Sequence, residues 1–299
     1  MKTHYTKQAL SFDQQLKLLI QRGLIIENPD KTLHLLESVS YYRLSAYWHP
    51  FLADKQNHLF KAGSKFENIF SLYCFDRELR SLIISEVEKI EIAVRAKMIY
   101  VLSRKFGPFG YQNPSLYKDH QKFRVQLMSK LMDEYKRSDE EFIKAFKTRY
   151  IELLPPSWMA MEIISFGTLS KLFSGLKPGK EKREIAGHFG LTDTVFGNWL
   201  HCLVYLRNIC AHHSRLWNRV LSIRPQIPLS PRRPYIVNTN VSSDRTYYVL
   251  CMIRYLLQSV NPNSGFVGKL KQLLNKYPSA NLQAMGFPLS WQNESFWQK

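Results

Sequence analysis

Cysteine is scarce in this chain of 299 residues, and the four cysteines present contain no Cys-x-x-Cys pair: Cys74, Cys202, Cys210 and Cys251. A disulfide framework or a closed zinc site needs paired or regularly spaced ligands, so neither is expected. Each cysteine has apolar neighbours in a predicted helix, which favours reduced thiols in a core. Cys210, His212 and His213 also lack the spacing of zinc ligands, and we expect neither a metal nor an organic cofactor.

Long apolar runs are absent from the sequence. No stretch approaches the ~20 apolar residues that a membrane-spanning helix requires. Residues 1–7, MKTHYTK, also lack the apolar segment of a signal peptide. We therefore expect a cytoplasmic protein with no membrane partner.

Acidic side chains are few, since 24 Asp and Glu stand against 42 Lys and Arg, a formal charge of +18. Residues 195–299 contain twelve Lys or Arg but only two acids, Asp244 and Glu294. Between Arg183 and Lys269 every one of these basic residues is an arginine, which suits bidentate phosphate contacts and base stacking. The imbalance indicates an anionic partner and favours RNA, although a basic surface that only keeps the protein soluble is the alternative.

Sustained alternation of polar and apolar residues is nearly absent, while helical periodicity runs through most of the chain, so the sequence predicts an all-α fold. Ser11 and Gln14 predict the start of a first helix, and Gly23 predicts its end. A long amphipathic helix should end at Gly107, and a later helix should begin near Thr192.

Three further stretches have distinct patterns. Charges of both signs interleave between Asp119 and Tyr150, which is typical of a solvated outer layer. Gly167 is expected to break a helix that begins after Pro155-Pro156. Prolines then recur every third residue from Pro225 to Pro234 and predict an extended strap, which either lies along an RNA backbone or is clamped across the core.

One apolar helical run, residues 199–219, contains Arg207 and His212 five positions apart, with Asn208 and His213 beside them. An arginine keeps its charge and a histidine titrates near neutral pH, so the pair suits cleavage of a phosphodiester. Five residues correspond to roughly 140° on an ideal helix, so the two side chains would flank a groove rather than share a face. Arg43–His49 and Arg183–His188 have similar spacing and can arise by chance.

The segment LRNICAHHSRLWNR, residues 206–219, resembles the motif of the Abi-like family, the AbiD and AbiF abortive-infection proteins, within the wider HEPN class of RNases. Other stretches agree in the same order: residues 22–26, 41–48, 75–83, 88–95 and 155–159. The resemblance covers roughly residues 8 to 220, and no motif is recognised beyond Val220.

The resemblance implies a HEPN-like helical bundle, which we place at residues 61–220. The sequence pattern adds an N-terminal helical module (1–60, a candidate RNA-binding module) and a Pro/Arg-rich strap with C-terminal helices (221–299). It implies a toxin-like, metal-independent endoribonuclease of phage defence that leaves a 2′,3′-cyclic phosphate and a 5′-hydroxyl. It also implies a homodimer in which each subunit contributes Arg207 and His212 to a composite site. The alternative is a non-catalytic protein that holds a structured small noncoding RNA; a DNA-binding regulator is less favoured.

Further residues have more than one interpretation. Asn208 and His213 are either part of the catalytic site or structural. Glu88 and Glu91 either orient Arg207, or Glu91 forms an ordinary surface pair with Arg95. Six arginines are predicted to contact RNA: Arg43, Arg215, Arg219, Arg224, Arg232 and Arg233.

Overall fold

A computed structural model of the chain describes residues 4–6 and 8–298. Residues 1–3 and 7, on which part of the signal-peptide expectation rests, lie outside the described residues. The only sheet in the described chain is a pair of short antiparallel strands, β1 (Leu52–Asp54) and β2 (Leu59–Phe60). All other long elements are helices, which confirms the predicted all-α fold.

The α-helices are α1 (Phe12–Gln21), α2 (Pro29–Val39), α3 (Tyr41–Trp48), α4 (Phe66–Phe106), α5 (His120–Lys122), α6 (Ser129–Arg137), α7 (Glu141–Arg149), α8 (Ser157–Ile163), α9 (Phe166–Gly175), α10 (Lys180–His188), α11 (Asp193–Ala211), α12 (Thr246–Val260) and α13 (Phe266–Lys276). A π-helical turn, Phe123–Met128, joins α5 to α6. Residues 212–245 form neither helix nor strand. No helix in the described ranges is long and apolar enough to cross a membrane.

The chain folds into two compact units, residues 1–79 with 271–281 and residues 80–270 with 282–299. The three segments expected from the sequence divide the chain differently, and their independence stays a prediction. In the first unit the capping box at Ser11 and Gln14 is confirmed, with hydrogen bonds of 3.2 and 2.8 Å. Gly23 ends α1 with φ +88°, as predicted, because only glycine adopts this conformation without strain.

The aromatic side chains of α3 mostly pack inside the first unit. Tyr47 and Trp48 are buried, and the Tyr47 hydroxyl donates a 2.6 Å hydrogen bond to the fully buried carboxylate of Asp76. Tyr42 differs, since 88% of its surface is exposed beside the exposed Arg43. The group is therefore core with one exposed member.

The second unit is built on the buried faces of long helices. In α4 the fully buried residues Val87, Ile90 and Val94 follow helical spacing, and the helix ends before Gly107 at φ +74°, as predicted. Helix α11 begins directly after Thr192, as predicted, and the Thr192 hydroxyl caps it by accepting a 3.4 Å hydrogen bond from the Val195 amide.

The predicted helix break at Gly167 is wrong. Gly167 lies in the first turn of α9, and the break falls at Ile164 and Ser165 instead. The Ser165 hydroxyl caps α9 by accepting a 3.3 Å hydrogen bond from the Thr168 amide, which supplies the local signal for a new helix. A Cβ at Gly167 would lie 3.8 Å from Val204, so this position has no close contact that requires glycine.

Candidate functional site

The predicted Arg–His motif lies at the carboxyl end of α11. The helix ends at Ala211 rather than continuing to Leu216, so the expectation of an unbroken helix through the motif is wrong. His213 has φ +55°, and its amide donates to the Cys210 carbonyl at 3.1 Å. The next amide, of Ser214, donates to the Ile209 carbonyl at 3.0 Å, which completes a Schellman ending. The chain turns here because Leu216 and Trp217 must reach the core, where both are buried.

This ending determines which side chains face solvent. Leu206, Ile209 and Cys210 are buried, whereas Asn208 and His212 are exposed and Arg207 is half-buried. Within the described part of the chain, the side chains of Arg207, Asn208 and His212 form no hydrogen bond or ion pair. The motif therefore leaves a cation, an amide and an imidazole at the last turn of an otherwise packed helix.

No hydrogen bond joins the side chains of Arg207 and His212 within the described chain. Five residues of helix correspond to about 7.5 Å of axial rise and roughly 140° of rotation. The backbone does link the segment, since the His212 amide donates to the Asn208 carbonyl at 3.0 Å. One chain thus supplies both groups on different sides of one helix end.

Tyr205 and Arg219 form an interaction that the sequence did not indicate. Burial raises the pKa of the Tyr205 phenol. Hydrogen bonding with Ser222 and the charge of Arg219 together outweigh this effect, so the Tyr205 pKa lies below its ordinary value. The Arg219 Nη1 also donates to the Arg215 carbonyl at 3.2 Å. Arg215 is half-buried and has an interaction within the chain. Both predicted phosphate anchors are therefore partly committed to the fold.

The proline-rich strap is clamped on α11, which is one of the two arrangements expected for it. The Asn198 side chain accepts from the Gln226 amide at 2.7 Å and donates to the Arg224 carbonyl at 3.2 Å. The Trp199 indole donates to the Gln226 carbonyl at 2.8 Å. These bonds use main-chain groups of the strap and leave its arginine side chains to other contacts.

Those arginine side chains differ in their surroundings. Arg224 is 63% exposed and pairs with Asp244 at 3.2 Å. Arg233 is half-buried and donates to the His188 carbonyl at 3.2 Å, while Arg232 is exposed. Arg43 belongs to the first compact unit. The six arginines predicted to contact RNA are thus not gathered on one element, and their role in RNA binding stays a prediction.

The acids on α4 have a structural contact. Glu91 Oε1 lies 3.0 Å from Arg95 Nη2, and Arg95 also donates from both terminal nitrogens to the Ile164 carbonyl at 3.1 Å. Glu88 is exposed. Within the described residues neither carboxylate bonds to Arg207, so the observed contact is the Glu91–Arg95 pair and the orienting role stays a prediction.

Glu86 is a buried acid that the sequence interpretation missed. It is 1% exposed, accepts two 2.8 Å hydrogen bonds from Lys89 and lies 3.4 Å from the Ser264 hydroxyl. Glu86 lies between Ile83 and Ile90 on the buried face of α4. The sequence alone could have indicated this buried acid, because an acid at core spacing requires a partner.

The four cysteines of the chain are free thiols. Cys202, Cys210 and Cys251 are buried and unbridged, as expected, while Cys74 is only half-buried and burial raises the pKa of its thiol. Residues 4–6 and 8–298 contain no group of three or more His, Cys, Asp or Glu side chains arranged to hold a metal ion.

Comparison with known proteins gave one match. A family model described as Abi-like protein matches residues 34–218, which include the whole end of α11 and its exposed polar side chains. No curated protein and no solved structure matches the chain significantly.

Proposed function

We propose, from the premise that this chain belongs to the Abi-like protein family, that it is a metal-independent endoribonuclease acting in abortive-infection defence against phage. The observation that carries the proposal is the group of polar side chains without a partner in the described chain at the end of α11, which are the half-buried Arg207 and the exposed Asn208 and His212. The matched range contains all three residues. Side chains held on a rigid helix end without a structural partner are suited to contact a ligand.

The proposed reaction begins with the imidazole of His212, which accepts the proton of a ribose 2′-hydroxyl. The 2′-oxygen attacks phosphorus, the bond between phosphorus and the 5′-oxygen breaks, and a protonated histidine donates a proton to the leaving 5′-oxygen. Arg207 stabilises the negative charge that develops on the phosphoryl oxygens, because its guanidinium stays charged throughout. The products are a 2′,3′-cyclic phosphate and a 5′-hydroxyl.

The reaction is proposed to occur between two copies of the chain. The roughly 140° between Arg207 and His212 disfavours their meeting at one phosphate in a single subunit. Two helix ends facing each other across a two-fold axis would provide two histidines, one as base and one as acid, with the arginines between them. Asn208 would then position the phosphate.

Replacement of His212 by alanine tests this function. We expect His212→Ala to lower the rate of RNA cleavage by about 100-fold or more and to abolish growth toxicity, while RNA binding and folding persist. His201→Ala is the matched control, because His201 is an exposed histidine of the same helix outside the motif. Cleavage by His212→Ala at the unmodified rate would remove His212 from the mechanism.

A second candidate is RNA binding without cleavage, in which the protein holds a structured small noncoding RNA. Exposed Tyr42 beside Arg43 favours it, since an exposed ring and a guanidinium provide base stacking and a phosphate contact. Turnover separates the two candidates: a purified protein that binds RNA and shows no cleavage that depends on His212 supports the second.

A further inference from the structure

Five basic side chains meet on the second compact unit, where α4, the end of α10 and the strap lie against one another. They are Lys97 and Arg104 of α4, His188 of α10, and Arg232 and Arg233 of the strap. We call these five residues the basic surface. They are distant in the sequence, so only folding brings them together.

The arginines of the strap lie directly on the last turn of α10. Arg233 Nη2 donates to the His188 carbonyl at 3.2 Å, and the Arg232 amide donates to the Gly190 carbonyl at 3.1 Å. Two glycines allow this approach, since a Cβ at Gly187 would lie 3.4 Å from Arg232 Nη1 and a Cβ at Gly190 would lie 3.3 Å from Arg233 Cγ. The packing of the strap thus determines where both guanidinium groups lie.

Tyr100 fixes the cations of α4. Its hydroxyl accepts a 2.7 Å hydrogen bond from Arg104 Nη1, and its ring centroid lies 5.2 Å from Arg104 Cζ and 5.3 Å from Lys97 Nζ. Lys97 and Arg104 are two helical turns apart, which is about 10 Å along α4. A single phosphate cannot reach both positions, so their spacing suits an anion with repeated charges.

Lys97 connects the cations of α4 to those of the strap. Its Nζ lies 3.8 Å from Glu184 Oε1 of α10, and this pair is partly exposed, so the pair neutralises the surface only weakly. Partial burial, and after it the charges of Lys97 and Arg233, lower the pKa of His188. Both cations therefore act on one imidazole, and a bound anion would relieve their mutual repulsion.

We propose that the basic surface binds the phosphate backbone of RNA, with phosphates at Arg104, Arg232 and Lys97. Arginine binds phosphate with two parallel hydrogen bonds, and cations already held by Tyr100 and α10 lose little freedom when they do so. The choice of RNA among phosphate polymers rests on the proposed function. The choice of a phosphate polymer rests on the charges and their spacing.

The basic surface lies at the opposite end of α11 from the proposed cleavage site. His188 precedes the start of α11 at Asp193, and the helix runs about 27 Å from there to Ala211. The basic surface is therefore an anchor for RNA and has no part in the chemical step.

Anisotropy titrations with a fluorescein-labelled oligouridylate of about 16 nucleotides test the anchor. The protein carries His212→Ala, so that the RNA stays intact. Arg104→Gln/Arg232→Gln should weaken binding about tenfold or more, since charge-assisted bonds are lost. The slope of log affinity against log salt concentration should become shallower by about 1.4, because each lost phosphate contact on a single strand accounts for roughly 0.7.

A control with the same loss of charge separates the surface from the net charge of the protein. Arg137→Gln/Arg149→Gln removes two exposed arginines elsewhere in the same unit, and we expect it to leave both affinity and slope nearly unchanged. Glu184→Gln should strengthen binding about threefold, since it removes an acid beside Lys97. Glu141→Gln, an exposed acid of α7, is its control. A gain in affinity does not result from misfolding.

Four results would overturn the anchor: no binding of the oligouridylate, a slope that Arg104→Gln/Arg232→Gln leaves unchanged, an equal loss of affinity in Arg137→Gln/Arg149→Gln, or displacement of the RNA by polyaspartate at equal charge. The last result would assign the surface to an acidic protein. Thermal unfolding verifies the folding of each variant.

Failure of the anchor and failure of the proposed nuclease give different results. Cleavage that requires His212, together with an unchanged slope, would remove the anchor and keep the nuclease. A shallower slope in Arg104→Gln/Arg232→Gln, with no cleavage by the unmodified chain, would keep the anchor and remove the nuclease.

Discussion

His213 carries a backbone conformation that is unusual for its residue type. At φ +55° it occupies the position after a helix that glycine fills most often, because a Cβ in the left-handed region meets the following carbonyl oxygen. His213 has a further interaction within the chain, so the loss of its imidazole and the relief of backbone strain are separate effects. A structural role in ending α11 is thus present whether or not His213 also contacts RNA.

Glycine and alanine at position 213 separate these effects, since both remove the imidazole and only glycine relieves the backbone. In denaturant titrations, we expect the free energy of unfolding to be about 1 kcal/mol higher for His213→Gly than for His213→Ala. Equal stabilities of the two variants would contradict the assigned backbone role. If His213 is only structural, both variants should also cleave RNA at the unmodified rate.

Lys182 makes the free energy of unfolding depend on pH. Its folded pKa of about 8 lies below the ordinary 10.5, so between these values the unfolded chain binds more protons than the folded chain. The free energy of unfolding should therefore rise with pH across this window, by about 2 kcal/mol from this lysine. Below pH 8 the penalty of the buried charge is fully present.

The test compares denaturant unfolding at pH 7.5 and pH 10 for the unmodified protein and for Lys182→Met. We expect the variant to lack the rise of about 2 kcal/mol. Lys180→Met, an exposed lysine of the same helix, should keep it. An identical pH dependence in Lys182→Met and the unmodified protein would show that the buried lysine is not its source.

Among the elements, α11 has two tasks. Its first half holds the strap through Asn198 and Trp199, and its last turn presents the polar motif. The helix is anchored in the second unit by aromatic packing, with the Phe173 and Phe196 ring centroids 5.0 Å apart. An element fixed in this way can hold exposed side chains at a constant position.

The clamp predicts a specific weakness of the strap. Asn198→Ala removes the bonds to Gln226 and Arg224, and we expect the free energy of unfolding to fall by about 1–2 kcal/mol. Limited proteolysis within residues 222–240 should become faster. Asn263→Ala, an exposed asparagine without a hydrogen bond within the described residues, is the control. Unchanged proteolysis of the strap in Asn198→Ala would mean that the strap is held by its other contacts.

For the molecule as a whole, the net charge and the number of chains in the assembly determine how we expect it to bind RNA and to act. Residues 195–299 carry +10 of the +18 formal charge, from twelve basic residues and two acids. Binding to RNA should therefore weaken steeply with salt, through release of counterions. The proposed composite site also requires that two chains associate.

Mixed variants test the sharing of residues between chains. A mixture of Arg207→Ala and His212→Ala chains should recover part of the cleavage activity, because a mixed dimer keeps one Arg207 and one His212, on different chains, whereas a dimer of either variant lacks one of the two groups entirely. Each variant alone should be inactive. A mixture as inactive as its components, in a preparation shown to contain mixed dimers, would place the arginine and histidine of each site in one chain.

Local interactions explain what the amino-acid pattern alone predicted correctly. The Ser11–Gln14 box, the end of α4 at Gly107 and the start of α11 at Thr192 depend on residues at most four positions apart, so short stretches of sequence contain all their partners. The resemblance to the Abi-like family was likewise predictable, because it rests on a contiguous motif and is confirmed by the match over residues 34–218.

Contacts between residues far apart in the chain determine the features that the sequence pattern did not predict. The helix at the motif stops at Ala211 because Leu216 and Trp217 return to the core, and the strap is held by side chains 26 to 28 positions away. Arg232 and Arg233 join the basic residues of α4 only through the packing of the strap on the end of α10. Periodicity and spacing describe neighbours along the chain, whereas these features arise from contacts that close long loops, and only folding selects among those.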